Sequence, residues 1–499
     1  MSGFIARDYS GRYYGLCHCE NCRKRFRAYC GMELPESEDA SDPAYARYEA
    51  FKEMCTAEQR RHMYDVIHEI SDDIALNAVD YIRSESSTEI GKLLWIYSAS
   101  GNGRLAKGID PLRPCDNASV DYMGFRYRHV SVSPALTELR QWQCLANAGS
   151  VSFYIIGHLG NHGDTSTFEP TRKVFAFHKA HEALFANMSN EAEVVLLSHG
   201  NWKRNDPETY GWIRALTESH IPFDEIILDE FRQDRYLEGK KVVIVPGMQD
   251  ISPEQAGIID RFVYAGGTAI VSGVPSEGLA SAGLEKLTEV RRDCRSSMFE
   301  IASEKDKAVF VRCRLTPYIA PGEVVAVGKW REDAQRYLDL IAEHPFGPPE
   351  LCSFDRREEV PGVIAAPYGK GRCISVPFCV GSFYFKEGHA NPLRFMQDVL
   401  FELAGVEDIA PELTPMVELT LKRSGNRRLL QFVNNSGIFS NSCVAPLPIY
   451  DLRVRLSGLE EKKSSTLNGG SATIEEKDGA LSVHLDRLND YECVVIEDR

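Results

Sequence analysis

Across its 499 residues the chain is 43% hydrophobic and 26% charged, with a formal net charge of −15, the profile of a folded globular protein with room for roughly two to four domains. That acidic balance excludes broad binding to nucleic acid or to an anionic membrane, since both require Lys and Arg to neutralise phosphates. No apolar run approaches the ~18 residues of a membrane span, and the start lacks the basic-then-apolar pattern of a signal peptide, so a cytoplasmic location is expected.

In chain order, the first feature is the run Cys17-His18-Cys19-Glu20-Asn21-Cys22, a C-x-C-x2-C cluster with Cys30 trailing it. In a reducing compartment such clustering points to metal rather than disulfides. The other cysteines are mostly scattered singly through apolar segments, such as Cys144, Cys313, Cys379 and Cys493, and read as small buried hydrophobes. Apolar spacing predicts a long helix over 43–70, short strands over 74–76 and 78–82, and a helix over 88–97. A strand is predicted over 119–128, a helix from Pro134 through Leu145, a strand over 151–156 and a helix over 169–185. This alternation of strand and helix implies a parallel sheet with covering helices and a binding face at the strands' carboxyl ends.

The pattern restarts at Glu193. Strands are predicted over 194–198, 225–228, 241–246 and 268–272, with helices over 210–219 and 253–265. The second helix has Ser252 as N-cap and Pro253 at its first position. A strand over 373–376 and a helix over 391–404 close a doubly wound, flavodoxin-like layout. After Pro411 short strands separated by Asn-Ser-Gly and Asn-Gly-Gly turns predict a small antiparallel β-domain.

Candidate chemistry concentrates in the first part. In Val79-Asp80-Tyr81-Ile82-Arg83-Ser84-Glu85 the two-residue strand period puts Arg83 and Glu85 on one face. Glu85 is therefore a candidate catalytic carboxylate and Arg83 a candidate substrate contact, the alternative being a structural ion pair at the rim. Asp8 is the candidate second carboxylate, or a plain turn former, with Tyr9 beside it. Arg126, Arg128 and His129 form a cluster able to orient a substrate or tune Glu85, or to end a strand in salt bridges. His158, His162 and Asp164 lie in a glycine-rich loop that reads as sugar-facing. Glu138, inside a helix, reads as a solvated residue.

The cysteine loop followed by Gly31-Met32-Glu33-Leu34-Pro35 resembles the loop after barrel strand 4 in family 42 β-galactosidases and in the group called hypothetical glycosyl hydrolase 6. Arg126-Tyr127-Arg128-His129 and Leu145-Ala146-Asn147-Ala148-Gly149 resemble the strand 7 region of the second group, and Ser152-Phe153-Tyr154-Ile155-Ile156-Gly157 its strand 8. Val243-Ile244-Val245-Pro246-Gly247 and Phe262-Val263-Tyr264-Ala265-Gly266-Gly267-Thr268 resemble the β-galactosidase trimerisation domain, itself similar to class I glutamine amidotransferases.

The resemblance implies an α/β chain in three parts. Residues 1–190 would be the second half of a (β/α) TIM-type barrel, 191–409 an amidotransferase-like trimerisation domain, and 410–499 a β-sandwich-like domain. Strands 1 to 3 and most or all of strand 4 would be absent, and with them the family's acid/base glutamate. Strand 7, read over 120–129, holds no glutamate where the family has its nucleophile. No cysteine stands at Val271-Ser272-Gly273-Val274-Pro275, so glutaminase chemistry is not expected. The implied function is glycoside hydrolysis of an unidentified glycan by paired carboxylates, weak or absent in this chain alone because it would be truncated. The alternative is a non-catalytic carbohydrate-binding or oligomerisation remnant. A homo-oligomer, trimer or dimer, is expected. The chemistry calls for no cofactor, and Cys17, Cys19 and Cys22 are the candidate ligands of a structural zinc, with Cys30 as a candidate fourth.

Overall fold

A computed structural model describes residues 12, 14–39, 41–86, 95–124, 127–199, 206–247, 251–294, 296–344, 347–352, 356–458, 463–477 and 479–497. The chain divides into two compact units, one of residues 1–83 with 125–127, the other of residues 84–124 with 128–499.

The smaller unit is built on two helices, α1 (Glu20–Cys30) and α2 (Pro43–His68). Asp42 caps α2 by accepting from the Ala44 amide at 2.8 Å, and Pro43 occupies its first turn, where a missing N–H costs nothing. Phe26 of α1 meets Phe51 of α2 edge to face, ring centroids 5.3 Å apart, over a core that includes Leu34, Tyr48 and Cys55. The strand expected over 74–76 does not form, and in place of the one expected over 78–82 a strand begins only at Ile82. Asp80 accepts from the Leu76 amide at 2.6 Å and Asn77 Oδ1 from the Arg83 amide at 3.1 Å, and these side-chain bonds curl the segment into turns.

In the larger unit the strands β1 (Ile82–Glu85, entering from the smaller unit), β2 (Cys115–Val120) and β3 (Ser152–Tyr154) form a sheet with β2 in the middle. β2 and β3 run parallel, Val120 facing Tyr154. The strand expected over 119–128 stops at Val120. The chain turns back there, Met123 donating to the Val130 carbonyl at 3.1 Å and Val132 to the Asp121 carbonyl at 3.3 Å. Helices α3 (Ser98–Ile109), α4 (Pro134–Ala148) and α5 (Phe168–Phe185) accompany the sheet. Most of the helix expected over 88–97 falls outside the described residues, and α3 begins just after it. Its glycines allow close approach: a Cβ on Gly103 would lie 3.0 Å from Asn147 of α4, and one on Gly108 only 2.0 Å from the Glu225 carbonyl oxygen.

A two-residue strand, β4 (Ser189–Asn190), precedes a nine-stranded sheet. Its parallel part comprises β5 (Val194–Ser198), β6 (Phe223–Ile227), β7 (Val242–Pro246) and β8 (Thr268–Ser272). Helices α6 (Pro207–Glu218) and α7 (Pro253–Ala265) cover it. Ser252 caps α7 with Pro253 in its first turn, as read from the sequence, and Gln255 completes a reciprocal capping box. Val194 and Leu196 of β5 enter one core while Val195 and Leu197 enter another. Burial on both faces is why this strand reads as an unbroken apolar run.

Beyond β8 come an antiparallel ribbon of β9 (Leu284–Arg292) with β12 (Val324–Trp330), and an extension of the large sheet through β10 (Met298–Glu300), β11 (Tyr318–Ile319), β13 (Gln335–Ile341) and β14 (Arg357–Tyr368). The short helix α8 (Glu304–Val309) lies between them in sequence. β15 (Gly371–Val376) returns parallel to β8 and leads into α9 (Val380–Glu387) and α10 (Ala390–Asp398).

The C-terminal part packs two antiparallel sheets over a shared core. One holds β16 (Val417–Ser424) and β17 (Arg427–Asn434), the other β20 (Ile449–Ser457), β22 (Ala472–Lys477) and β23 (Ala480–Leu488). The hairpin β18 (Ile438–Phe439) and β19 (Ser442–Cys443) lies between them in sequence, while β21 (Lys463–Thr466) and β24 (Tyr491–Glu497) complete the first sheet, which β4 also joins.

Candidate functional site

Two acidic residues stand at the carboxyl ends of neighbouring strands. Glu85 ends β1 with its side chain exposed, and Arg83 shares that exposed face, as the two-residue period predicts. The strand end is fixed from below. Asn102 donates to the Glu85 carbonyl oxygen at 2.9 Å and to Asn117 Oδ1 at 2.7 Å, and Asn117 donates to Ser86 Oγ at 2.7 Å. Asp121, immediately after β2, is only 2% exposed and accepts from Ser131 Oγ at 3.1 Å. Burial raises its pKa, opposed by the hydroxyls of Thr167 and Ser131 and by the charge of His162.

Tyr122 and Tyr154 meet edge to face, centroids 5.8 Å apart. Burial first, then the neighbouring Tyr154 and the negative charge of Glu85, push the Tyr122 hydroxyl up to about 12, while Arg128 pulls the other way. Glu85, Tyr122, Tyr154 and Arg128 therefore share one electrostatic neighbourhood. A phenol held protonated there is a hydrogen-bond donor.

The remaining expected residues separate. His129 is exposed, its ring 6.1 Å from that of His162, which stacks on Phe168 at 5.8 Å. Asp164 is a loop staple: it accepts from the amides of Ser131 at 3.0 Å and Ser166 at 3.1 Å, and from Ser166 Oγ at 2.7 Å. These bonds hold its pKa down at about 2, so its oxygens are already engaged. His158 is exposed. Arg83 belongs to the smaller unit, its guanidinium 5.9 Å from the Tyr81 ring centroid. Asp8, Tyr9 and Arg126 lie outside the described residues. Glu138 is no freely solvated residue: it accepts from the Trp142 indole at 3.3 Å and pairs with Lys173 at 2.6 Å. The strand predicted over 119–128 runs through Asp121 and Tyr122 and hides them; the signal for them is an Asp-Tyr pair directly after the buried run Ala118-Ser119-Val120.

In the smaller unit the Sγ atoms of Cys17, Cys19 and Cys22 lie within 4.8 Å of one another, Cys22 and Cys17 at 3.6 Å. Four sulfurs at ~2.3 Å from a tetrahedral zinc sit ~3.8 Å apart, so the three thiols fit that ion. Cys19 also caps α1, accepting from the Cys22 amide at 3.4 Å. That bond, with those to the Cys22 and Cys17 thiols, lowers its pKa. Cys30 points elsewhere, donating to the Phe26 carbonyl at 3.5 Å, and does not join the cluster.

At the end of β8 the position read as lacking a nucleophilic cysteine holds Ser272, whose hydroxyl donates to Glu208 Oε1 at 2.6 Å. The buried carboxylate also accepts from the Trp212 indole at 3.1 Å and the Ser382 amide at 2.7 Å. This is a closed internal network joining α6, β8 and α9.

Neither the protein-family models nor the curated proteins contain a match to this sequence. Solved structures do match. α-L-Fucosidase isoenzyme 2 from Paenibacillus thiaminolyticus superposes with a TM-score of 0.76 at 17% identity, over 99% of this chain and 78% of that one. β-Galactosidase from Bacillus circulans sp. alkalophilus gives a TM-score of 0.70 at 15% identity, over 98% and 78%. The fold is glycoside hydrolase-like. A family GH42 β-galactosidase of G. stearothermophilus agrees, with a TM-score of 0.67 and 14% identity over 98% of this chain and 77% of its own. At such identities the likeness concerns the fold, and it bears out the resemblance read from the sequence.

Proposed function

We propose that the chain is a glycosidase-type protein acting on a glycan through paired carboxylates at the carboxyl ends of β1 and β2. The observation that carries this reading is the placement of Glu85 and Asp121 at the ends of adjacent strands, with Tyr122 and Arg128 in the same electrostatic neighbourhood. Glycoside hydrolysis asks one carboxyl group to protonate the leaving oxygen and another to act as nucleophile or base. Asp121, pushed toward its protonated form by burial, suits the acid role. Glu85, exposed at its strand end, suits the second. Tyr122 donates a hydrogen bond to substrate oxygen. Arg128, His129 and His162 contact sugar hydroxyls, Asp164 holds the loop carrying His162, and Arg83, in the smaller unit, remains a substrate-binding candidate from the sequence. Asp8, Tyr9 and Arg126 remain candidates from the sequence alone.

In this reading residues 1–190 supply part of a (β/α) barrel, 191–409 an amidotransferase-like domain that assembles homo-oligomers as trimers or dimers, and 410–499 a β-sandwich-like domain, in a cytoplasmic protein. The sheet holds three strands among the described residues, against the eight of a closed barrel, so activity of the chain alone is expected to be weak. The same strand count favours, as a second reading, a non-catalytic carbohydrate-binding or oligomerisation protein.

The test is hydrolysis of aryl α-L-fucopyranosides and aryl β-D-galactopyranosides by the purified chain, Asp121→Asn and Glu85→Gln. General acid–base groups contribute ~10²–10⁴-fold, so each variant should lose at least about a hundredfold in kcat with its circular dichroism unchanged. Full activity in both variants would remove these residues from the chemistry. Sugar binding without turnover would select the second reading.

A further inference from the structure

A cavity of about 440 Å³ opens between the first turns of α4 and α5 and the chain after β19, a size typical of small-molecule sites. Its walls are aliphatic, from Pro134 and Leu139 on α4, Pro170 on α5, and Val444 and Pro446 on the C-terminal segment. The Ser133 hydroxyl donates to the Cys443 carbonyl at 2.6 Å and braces the two sides against each other.

The polar groups in it form one compact set. Lys173 Nζ lies 2.6 Å from Glu138 Oε1 and 2.6 Å from Asp490 Oδ2. One ammonium thus serves two carboxylates, leaving one negative charge in excess. Glu169, also at the wall, is matched by Arg172. The positive ends of the helices are already answered. Ser133 Oγ accepts from the Leu136 amide at 3.3 Å on α4, and Glu169 stands in the first turn of α5. The cavity therefore offers an aliphatic body and a net anionic floor.

A sugar fits it poorly, because the Trp142 ring is covered. That ring is stacked on Tyr491 with centroids 4.6 Å apart and meets Phe177 edge to face at 5.2 Å, so it presents no face for a pyranose to lie on.

We propose that this cavity binds a small amphiphilic cation, an aliphatic chain bearing a primary ammonium group, with the ammonium at the Asp490 carboxylate, whose charge the shared Lys173 leaves partly unbalanced, and the chain against the prolines and Leu139. The site is distinct from the residues at the ends of β1 and β2 and does not depend on the glycosidase reading.

The probes are n-hexylammonium, hexan-1-ol and hexanoate, titrated against the full chain by calorimetry and followed by ligand-observed NMR. Hexylammonium should bind at least tenfold more tightly than either isosteric partner. Asp490→Asn, which removes the excess charge, should weaken it about tenfold while leaving hexanol unaffected. Ala445→Trp, an exposed loop substitution that fills the cavity, should abolish binding with the circular dichroism retained. Equal or tighter binding of hexanol or hexanoate, no binding of hexylammonium, or hexylammonium binding unchanged in both variants overturns the proposal.

Discussion

Glu208 couples the stability of the doubly wound part to pH. It lies in the first turn of α6, buried, with its carboxylate receiving the Ser272 hydroxyl at 2.6 Å, the Trp212 indole at 3.1 Å and the Ser382 amide at 2.7 Å. Burial outweighs these bonds and raises its pKa from 4.5 to about 7. In the unfolded chain the group ionises near 4.5, while in the folded chain it keeps its proton to about 7. Between those values the folded state binds more protons, so stability falls as pH rises across that window and levels off above it. A difference of about 2.5 units at ~1.4 kcal/mol per unit corresponds to ~3 kcal/mol.

Glu208→Gln cannot ionise, and it places an amide donor among three donors, a pH-independent cost of ~1–3 kcal/mol. Urea midpoints of both proteins at pH 5, 6, 7 and 8 separate the two effects. Wild type should lose its lead over Glu208→Gln, or fall behind it, as pH rises from 5 to 8, the difference changing by ~3 kcal/mol. Cys379 interacts with both Glu208 and Asp206, and burial raises its pKa so that the thiol stays protonated across this range. Parallel pH curves would refute the reasoning, because they would mean that three hydrogen bonds keep the buried carboxylate ionised down to pH 5.

The backbones of α6 and α9 touch at a pair of glycines: a Cβ on Gly211 would sit 1.8 Å from the Gly381 carbonyl oxygen. Gly211→Ala should therefore destabilise by ~3 kcal/mol or more in urea unfolding, whereas Gly101→Ala, whose Cβ would meet only Arg104 Nη2 at 3.9 Å, should stabilise by up to ~1 kcal/mol. Equal effects at the two sites would contradict the packing described. For the cysteines, elemental analysis of the purified chain should give about one zinc per chain, lost in Cys17→Ser and Cys22→Ser, with chelation reducing helicity. Freely titrating thiols and no metal would leave Cys19 as a helix cap alone.

What was legible in the sequence depended on whether local pattern and tertiary setting agree. β5, β7 and β8 are buried on both faces and read directly as apolar runs, and α7 announces itself through Ser252 and Pro253. Helix α3 does not, because Gly101, Gly103 and Gly108 are poor helix formers; the reason for two of them lies in α4 and β6, far along the chain. The ribbon strand β9 hides for a different reason. Its apolar residues Leu284, Leu287 and Val290 recur every third position, closer to a helical than a strand period, and its pairing with β12 shifts register after Val327 and after Lys329. Such bulges rephase the side chains and erase the alternation.

The candidate site turns on where one strand ends. Had β2 continued to Arg128, Asp121 would be one more strand residue, and Arg128 and His129 would mark the carboxyl end. Because it stops at Val120, the chain folds back from Met123 to Val130, and Asp121 is held beside Ser131 with Thr167 and His162 nearby. Arg128 and His129, expected at the strand end, lie in the loop instead. Glu85 was legible because the two-residue period is intrinsic to its own strand. Asp121 was not, because its burial is created by a loop and by the start of α5, neither of which leaves a mark at position 121.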